Sequence, residues 1–161
     1  MQNQNLRRLT RGALIAALYV VFTLLSAAFG LSSGVIQCRL SEALNVFALY
    51  LPEAVPGLAV GCLAANLITG AEVLDVVFGA LATFVGALGA YVLRKKPLAA
   101  LWMPVVSNTL IIPLLLKFAY GVSGSVWYIA AAVAVGETVS CVLVGYLLRL
   151  PVEKNQTRLF K

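Results

Sequence analysis

Gln37-Cys38-Arg39-Leu40-Ser41-Glu42-Ala43-Leu44-Asn45 is the stretch on which the reading of the whole chain turns. It packs an arginine, a carboxylate and two amides into a short run of a sequence that is 61% hydrophobic. Burial of apolar surface does not account for it. Arg39, Glu42 and Asn45 are spaced three apart, so on a helix they share one slowly drifting face. Pointed into an apolar bundle, that face offers donors and acceptors to something polar held at membrane depth.

The surroundings fit such a bundle. Charged residues make up 11% of the chain, where soluble domains carry about a quarter, and the mean hydropathy is +0.96. At roughly 20 apolar residues per crossing, 161 residues accommodate about six spans and leave no room for a soluble domain. The expected fold is an all-α integral membrane protein, a single transmembrane unit over residues 1–161. Its helices are expected at about 9–29, 38–51, 55–69, 72–93, 98–118 and 126–150. The second and third of these are short, and Pro52-Glu53-Ala54-Val55-Pro56-Gly57 separates them. They are either tilted short helices or a hairpin that enters and returns, and both options leave the chain on the same side.

Ten of the twelve basic residues then fall on one face of the membrane: Arg7, Arg8, Arg11, Arg94, Lys95, Lys96, Arg149, Lys154, Arg158 and Lys161. The positive-inside rule makes that face cytoplasmic, with both termini there. Grouped charge of this kind orients a chain in lipid. A nucleic-acid surface would instead need a solvated basic face. Arg39 and Lys117 are left near the outer face.

Small residues mark close helix contacts, since in lipid it is packing that draws helices together. Gly12, Ala13, Ala16 and Ala17 form overlapping small-xxx-small pairs on the first helix, and Gly79, Ala82, Gly86 and Gly89 a stripe on the fourth. The fifth helix holds Pro104 and Pro113, each freeing a carbonyl one turn earlier, with Asn108 between them. Trp127 and Tyr128 open the sixth as an interfacial pair.

Several chemistries are disfavoured. Cys38, Cys62 and Cys141 are scattered without paired spacing, which argues against a disulfide framework or zinc site. The chain has no histidine, the commonest general base and metal ligand. It contains no phosphate loop or nucleophile elbow, so neither an enzyme nor a bound cofactor is expected, and energy for transport comes from a gradient or from partner ATPases.

Charged and amide groups within spans mark functional sites. Glu137 lies about halfway along the sixth helix, on a small face with Ala130, Ala134, Cys141 and Gly145. Isolated there, it needs a partner or a proton. Glu42 is similar on the second helix, and Asn45, Asn66 and Asn108 are candidates for the same cavity. Glu72 and Asp75 share a face at the start of the fourth helix, where capping is the alternative role. For Arg39 and Glu42 the alternative is a mutual ion pair. For Asn108 it is service to carbonyls freed by proline, and for Phe78 simple packing. Glu53 reads as solvated loop surface.

These residues resemble a known family. Leu9-Thr10-Arg11-Gly12-Ala13-Leu14-Ile15-Ala16-Ala17-Leu18-Tyr19, Ile36 to Leu44, Pro52 to Leu58, Gly61 to Leu67, Leu74 to Thr83 and Gly136-Glu137 are similar to the QueT family, substrate-binding (S) components of energy-coupling factor (ECF) transporters. The resemblance implies a six-helix S component in the bacterial cytoplasmic membrane that captures a queuosine precursor, a 7-deazaguanine such as queuine. It also implies partners: a transmembrane T subunit, docked through Ala13 and Ala17, and two ATPase subunits. A deazaguanine presents adjacent donors beside a carbonyl. Glu137 or Glu42 would accept from the donors, while Gln37, Arg39, Asn66 or Asn108 donates to the carbonyl. Asn45 and Phe78 complete the candidate lining, and Glu72 and Asp75 would attract a cationic side arm. Another vitamin or nucleobase, or a stand-alone ion-coupled carrier using Glu137, is the alternative.

Overall fold

The computed structural model describes residues 4–31, 38–119, 121 and 123–155. Among these the regular elements are all helical. The long ones are α1 (Gln4–Ala28), α3 (Val73–Val92), α4 (Pro97–Phe118) and a final helix. That last helix is α5 (Val126–Glu137), a π segment (Thr138–Val144) and α6 (Gly145–Lys154) in unbroken succession. These four are long and apolar enough to cross a membrane. Two shorter apolar helices lie between α1 and α3: a 3₁₀ helix, Leu40–Leu49, and α2, Ala54–Ile68. The chain is a multi-pass membrane bundle.

The 3₁₀ helix sits in the middle. The five α-helical neighbours α1, α2, α3, α4 and α6, and the π segment, all pack against it. Ser41 to Val46 are buried without interruption, although they include a serine, a glutamate and an asparagine. An α-helix was the expectation here, and the tighter winding has consequences. At about 2.0 Å per residue a 3₁₀ stretch of this length reaches about 20 Å, against about 15 Å for α. Its period of three also removes the drift, so Glu42 and Asn45 stand in one line, with Arg39 in extended backbone just before the helix.

Around this axis the other helices form an arc in chain order: α1 on α2, α2 on α3, α3 on α4, and α4 on α5. Small residues set the crossings. A β-carbon on Gly57 would lie 2.6 Å from the Gly12 carbonyl oxygen, and one on Gly61 would lie 2.7 Å from the Tyr19 β-carbon. Gly86 approaches Pro104 in the same way, at 2.7 Å from its Cα. The small residues of α1 therefore divide into two faces. Gly12 and Ala16 meet α2, whereas Ala13 and Ala17 are exposed, Ala13 at the groove between the two helices.

Arg11 pairs with Glu53 at 3.6 Å. This brings the turn between the two short helices back to the N-terminal end of α1. Glu53, expected as solvated loop surface, is therefore half-buried and ion-paired. At the opposite end, the backbone N–H of Leu40 donates to the Ser26 hydroxyl at 3.1 Å. The two short helices thus run the depth of α1 and back. The last helix continues through Pro151 to Lys154, beyond its expected end. Gln37, Arg158 and Lys161 lie outside the described residues, as does most of the expected Gly/Ser linker.

Candidate functional site

Buried polar side chains converge where the 3₁₀ helix meets the π segment. Glu42 is 1% exposed. One of its carboxylate oxygens accepts hydrogen bonds from the Tyr19 hydroxyl of α1 and, at 3.0 Å, from the Thr83 hydroxyl of α3. The other accepts from the Asn45 amide at 2.8 Å. Asn45 spends its second N–H on the Glu42 carbonyl at 3.0 Å, and its Oδ1 is buried with no partner among the described residues. Burying a carboxylate is tolerable only when such donors surround it. Here they arrive from three separate elements.

Glu137 faces this cage from the last helix. Donor atoms of Glu42, Glu137 and Cys141 all lie within 4.8 Å of one another. The Cys141 thiol stands 3.3 Å from a Glu137 oxygen. Local winding presents these groups. From Thr138 the helix widens to π geometry, a form concentrated at functional sites. The Thr138 hydroxyl donates to the Ala134 carbonyl at 2.7 Å and the Ser140 hydroxyl to the Gly136 carbonyl at 3.0 Å. Such hydroxyl back-bonds compete with the backbone ladder and often bend helices.

Glu137 also lines a small cavity with Arg39, Asn108, Ile112 and Val133. Its volume is about 20 Å³, room for roughly one water molecule. That is far below the hundreds of cubic ångströms of an open small-molecule site. Asn108 is 4% exposed and its Nδ2 has no partner among the described residues. It is therefore not engaged on the carbonyls freed by proline. The ion pairs among the described residues are Arg11–Glu53 and Arg149–Glu153. Arg39 thus stands near both buried glutamates without a direct pair to either. Cys38 reaches across to the last helix, its sulfur 3.2 Å from the Ser140 hydroxyl.

The remaining candidates are elsewhere. Asn66 donates to the Asp75 carbonyl at 3.0 Å and packs beneath Gly79, holding α2 to α3. Glu72 is exposed at the start of α3 and its side chain makes no capping hydrogen bond. Asp75 is half-buried one turn on. Phe78 lies on the outer surface, lining an apolar groove with Leu81, Leu114 and Phe118. Two residues central to the cluster were not picked out from sequence, Tyr19 and Thr83. Each is a lone hydroxyl in an apolar run, and only the fold reveals that both face Glu42.

Two carboxylates and a thiol are a donor set that divalent cations accept. Here, however, the Glu42 oxygens are occupied by hydroxyl and amide donors, and the thiol is directed at Glu137. The arrangement suits recognition by hydrogen bonds: one saturated carboxylate, one largely open carboxylate, and amide and guanidinium donors beside it.

The chain is similar to the queuosine precursor transporter QueT of Lactococcus lactis subsp. cremoris (strain MG1363), at 37% identity over 73 residues. That match covers 45% of this chain and 43% of the relative, so it spans less than half of the relative's length. No solved structure matches the chain. The sequence model of the family described as QueT transporter matches residues 9–154, and with nearly its whole length inside that match the chain belongs to the QueT transporter family.

Proposed function

We propose that this protein is the substrate-capture subunit of an ECF-type, ATP-driven importer for a queuosine precursor, a 7-deazaguanine such as queuine. The observation that carries the reading is the group of buried Glu42, Glu137 and Asn108 with half-buried Arg39 among apolar helices, in which Glu137, Asn108 and Arg39 keep donor and acceptor capacity. Polar groups at membrane depth persist when they serve transport, and a deazaguanine offers matching donors and a carbonyl. The name of the Lactococcus lactis relative points to the same substrate class.

The chain carries no phosphate loop, so ATP hydrolysis belongs to partner subunits. Ala13 and Ala17 are exposed on α1, Ala13 in the groove that α1 forms with α2, as a docking pair for a transmembrane T subunit would be. The protein is not an enzyme. It sits in the bacterial cytoplasmic membrane with both termini inside.

Two measurements test this. The purified chain in detergent should bind queuine at least ten-fold more tightly than guanine, and equal affinities would remove the substrate assignment. In cells that depend on imported queuine, replacing Ala13 and Ala17 by tryptophan should abolish uptake while binding is retained. Uptake that persists without any ATPase subunit would favour the ion-coupled carrier instead.

A further inference from the structure

The two buried glutamates are unequal, and the inequality divides their labour. A carboxylate has about four lone-pair sites. Glu42 has three of them taken, by Tyr19, Thr83 and Asn45. Among the described residues Glu137 has one close hydrogen bond, from a thiol, a weak donor, with the Asn108 amide facing it less closely. Of the two glutamates only Glu137 lines the cavity, beside the Asn108 amide, whose Nδ2 makes no close hydrogen bond among the described residues, and the guanidinium of Arg39. An open acceptor therefore stands next to open donors on one wall, while Glu42 lies behind it as a filled post joining α1, α3 and the 3₁₀ helix.

We propose that Glu137 alone reads the ligand's paired N–H edge, with Asn108 donating to the adjacent carbonyl, and that Glu42 is a positioning residue. This rests on the reading above and sharpens it. The site selects the guanine pattern of one carbonyl next to two donor positions. It rejects rings that place a second carbonyl where the exocyclic amine stands, because that oxygen would face a carboxylate. It also discriminates against rings lacking the amine, which leave a buried acceptor unpaired.

The test uses the full chain in detergent, with calorimetric binding of 7-deazaguanine, 7-deazaxanthine and 7-deazahypoxanthine. The parent should prefer 7-deazaguanine over 7-deazaxanthine by about 100-fold, the scale of a good bidentate pair. Glu137→Gln replaces one acceptor by a donor, so its amide can accept from the ring N–H and donate to the second carbonyl of 7-deazaxanthine. The preference should invert. Glu42→Gln should weaken both ligands by similar factors and leave their ratio unchanged, and Asn108→Leu should do the same because both rings carry the carbonyl it serves. A folded Glu137→Gln protein that keeps the parental preference, or binds neither ring, overturns the proposal. So does inversion by Glu42→Gln instead. If Glu137→Gln does not fold, the parent decides: 7-deazahypoxanthine binding as tightly as 7-deazaguanine also overturns it. A parent that binds none of the three rings refutes the deazaguanine reading itself.

Discussion

At the scale of single residues, the cage around Glu42 is the feature with the largest stability consequence. Its donors come from α1, α3 and the 3₁₀ helix, so removing the carboxylate strands three buried groups at once. Hydrogen bonds to a charged group are worth about 1.5–3 kcal/mol each, and stranded partners add a desolvation penalty. Glu42→Ala should therefore cost about 3 kcal/mol or more, measured by denaturant unfolding in detergent. Tyr19→Phe deletes one donor and leaves its volume, and should cost about 1–2 kcal/mol. Equal stability of Glu42→Ala and parent would mean that the cage does not form. Arg39, Glu42, Asn108 and Glu137 were legible in the sequence as polar residues out of place in lipid. Tyr19 and Thr83 were not, because a hydroxyl in an apolar helix usually bonds its own backbone, as Thr69 does to the Ala65 carbonyl.

At the scale of elements, two irregular helices carry the site. The 3₁₀ helix holds Glu42 and Asn45 in line, with Arg39 at its N-terminal cap, and the π segment follows Glu137 directly. Gly145, the first residue of α6, packs beside the 3₁₀ helix with room for a β-carbon, which would meet the Ala43 carbonyl oxygen at an ordinary 3.7 Å. The crossing of α1 and α2 is tighter and more easily broken. Gly61→Val would push its branches into Tyr19 and the Ala16 carbonyl, at 2.7 and 2.9 Å for the first added carbon alone. Overpacking of this kind costs about 1–3 kcal/mol, and because Tyr19 holds Glu42, ligand affinity should fall with the melting temperature. At Gly12 an added carbon meets the Glu53 carbonyl oxygen at 3.2 Å, so Gly12→Ala should be much milder. The reverse ranking in a thermal melt would contradict the described crossing. Small residues were visible in the sequence as packing signals. Which face of α1 each one served was not, since Gly12 and Ala13 differ by a single position.

At the scale of the whole molecule, the path is set by contacts at opposite ends. Arg11 with Glu53 ties the turn after the 3₁₀ helix to the start of α1, and Ser26 with Leu40 ties its beginning to the end of α1. The two short helices thus cross and return, and Arg94-Lys95-Lys96 falls on the side of Arg11. A cysteine introduced at Lys95 should react with a membrane-impermeant maleimide only after permeabilisation. One introduced at Ser123, in the turn before α5, should react in intact cells. Labelling at both positions in intact cells would refute the inside assignment of the basic clusters.

The sequence by itself determined that the chain is a run of apolar helices, and their order. Those properties follow from hydrophobic length, which is summed along the chain. Only the tertiary structure decided that residues 40–49 wind as a 3₁₀ helix at the centre, that Glu42 is saturated while Glu137 stays open, and that Asn66 and Phe78 lie apart from them. Those outcomes depend on which donors neighbouring helices bring within about 3 Å of a buried oxygen, and hydropathy along the chain carries no record of such distances.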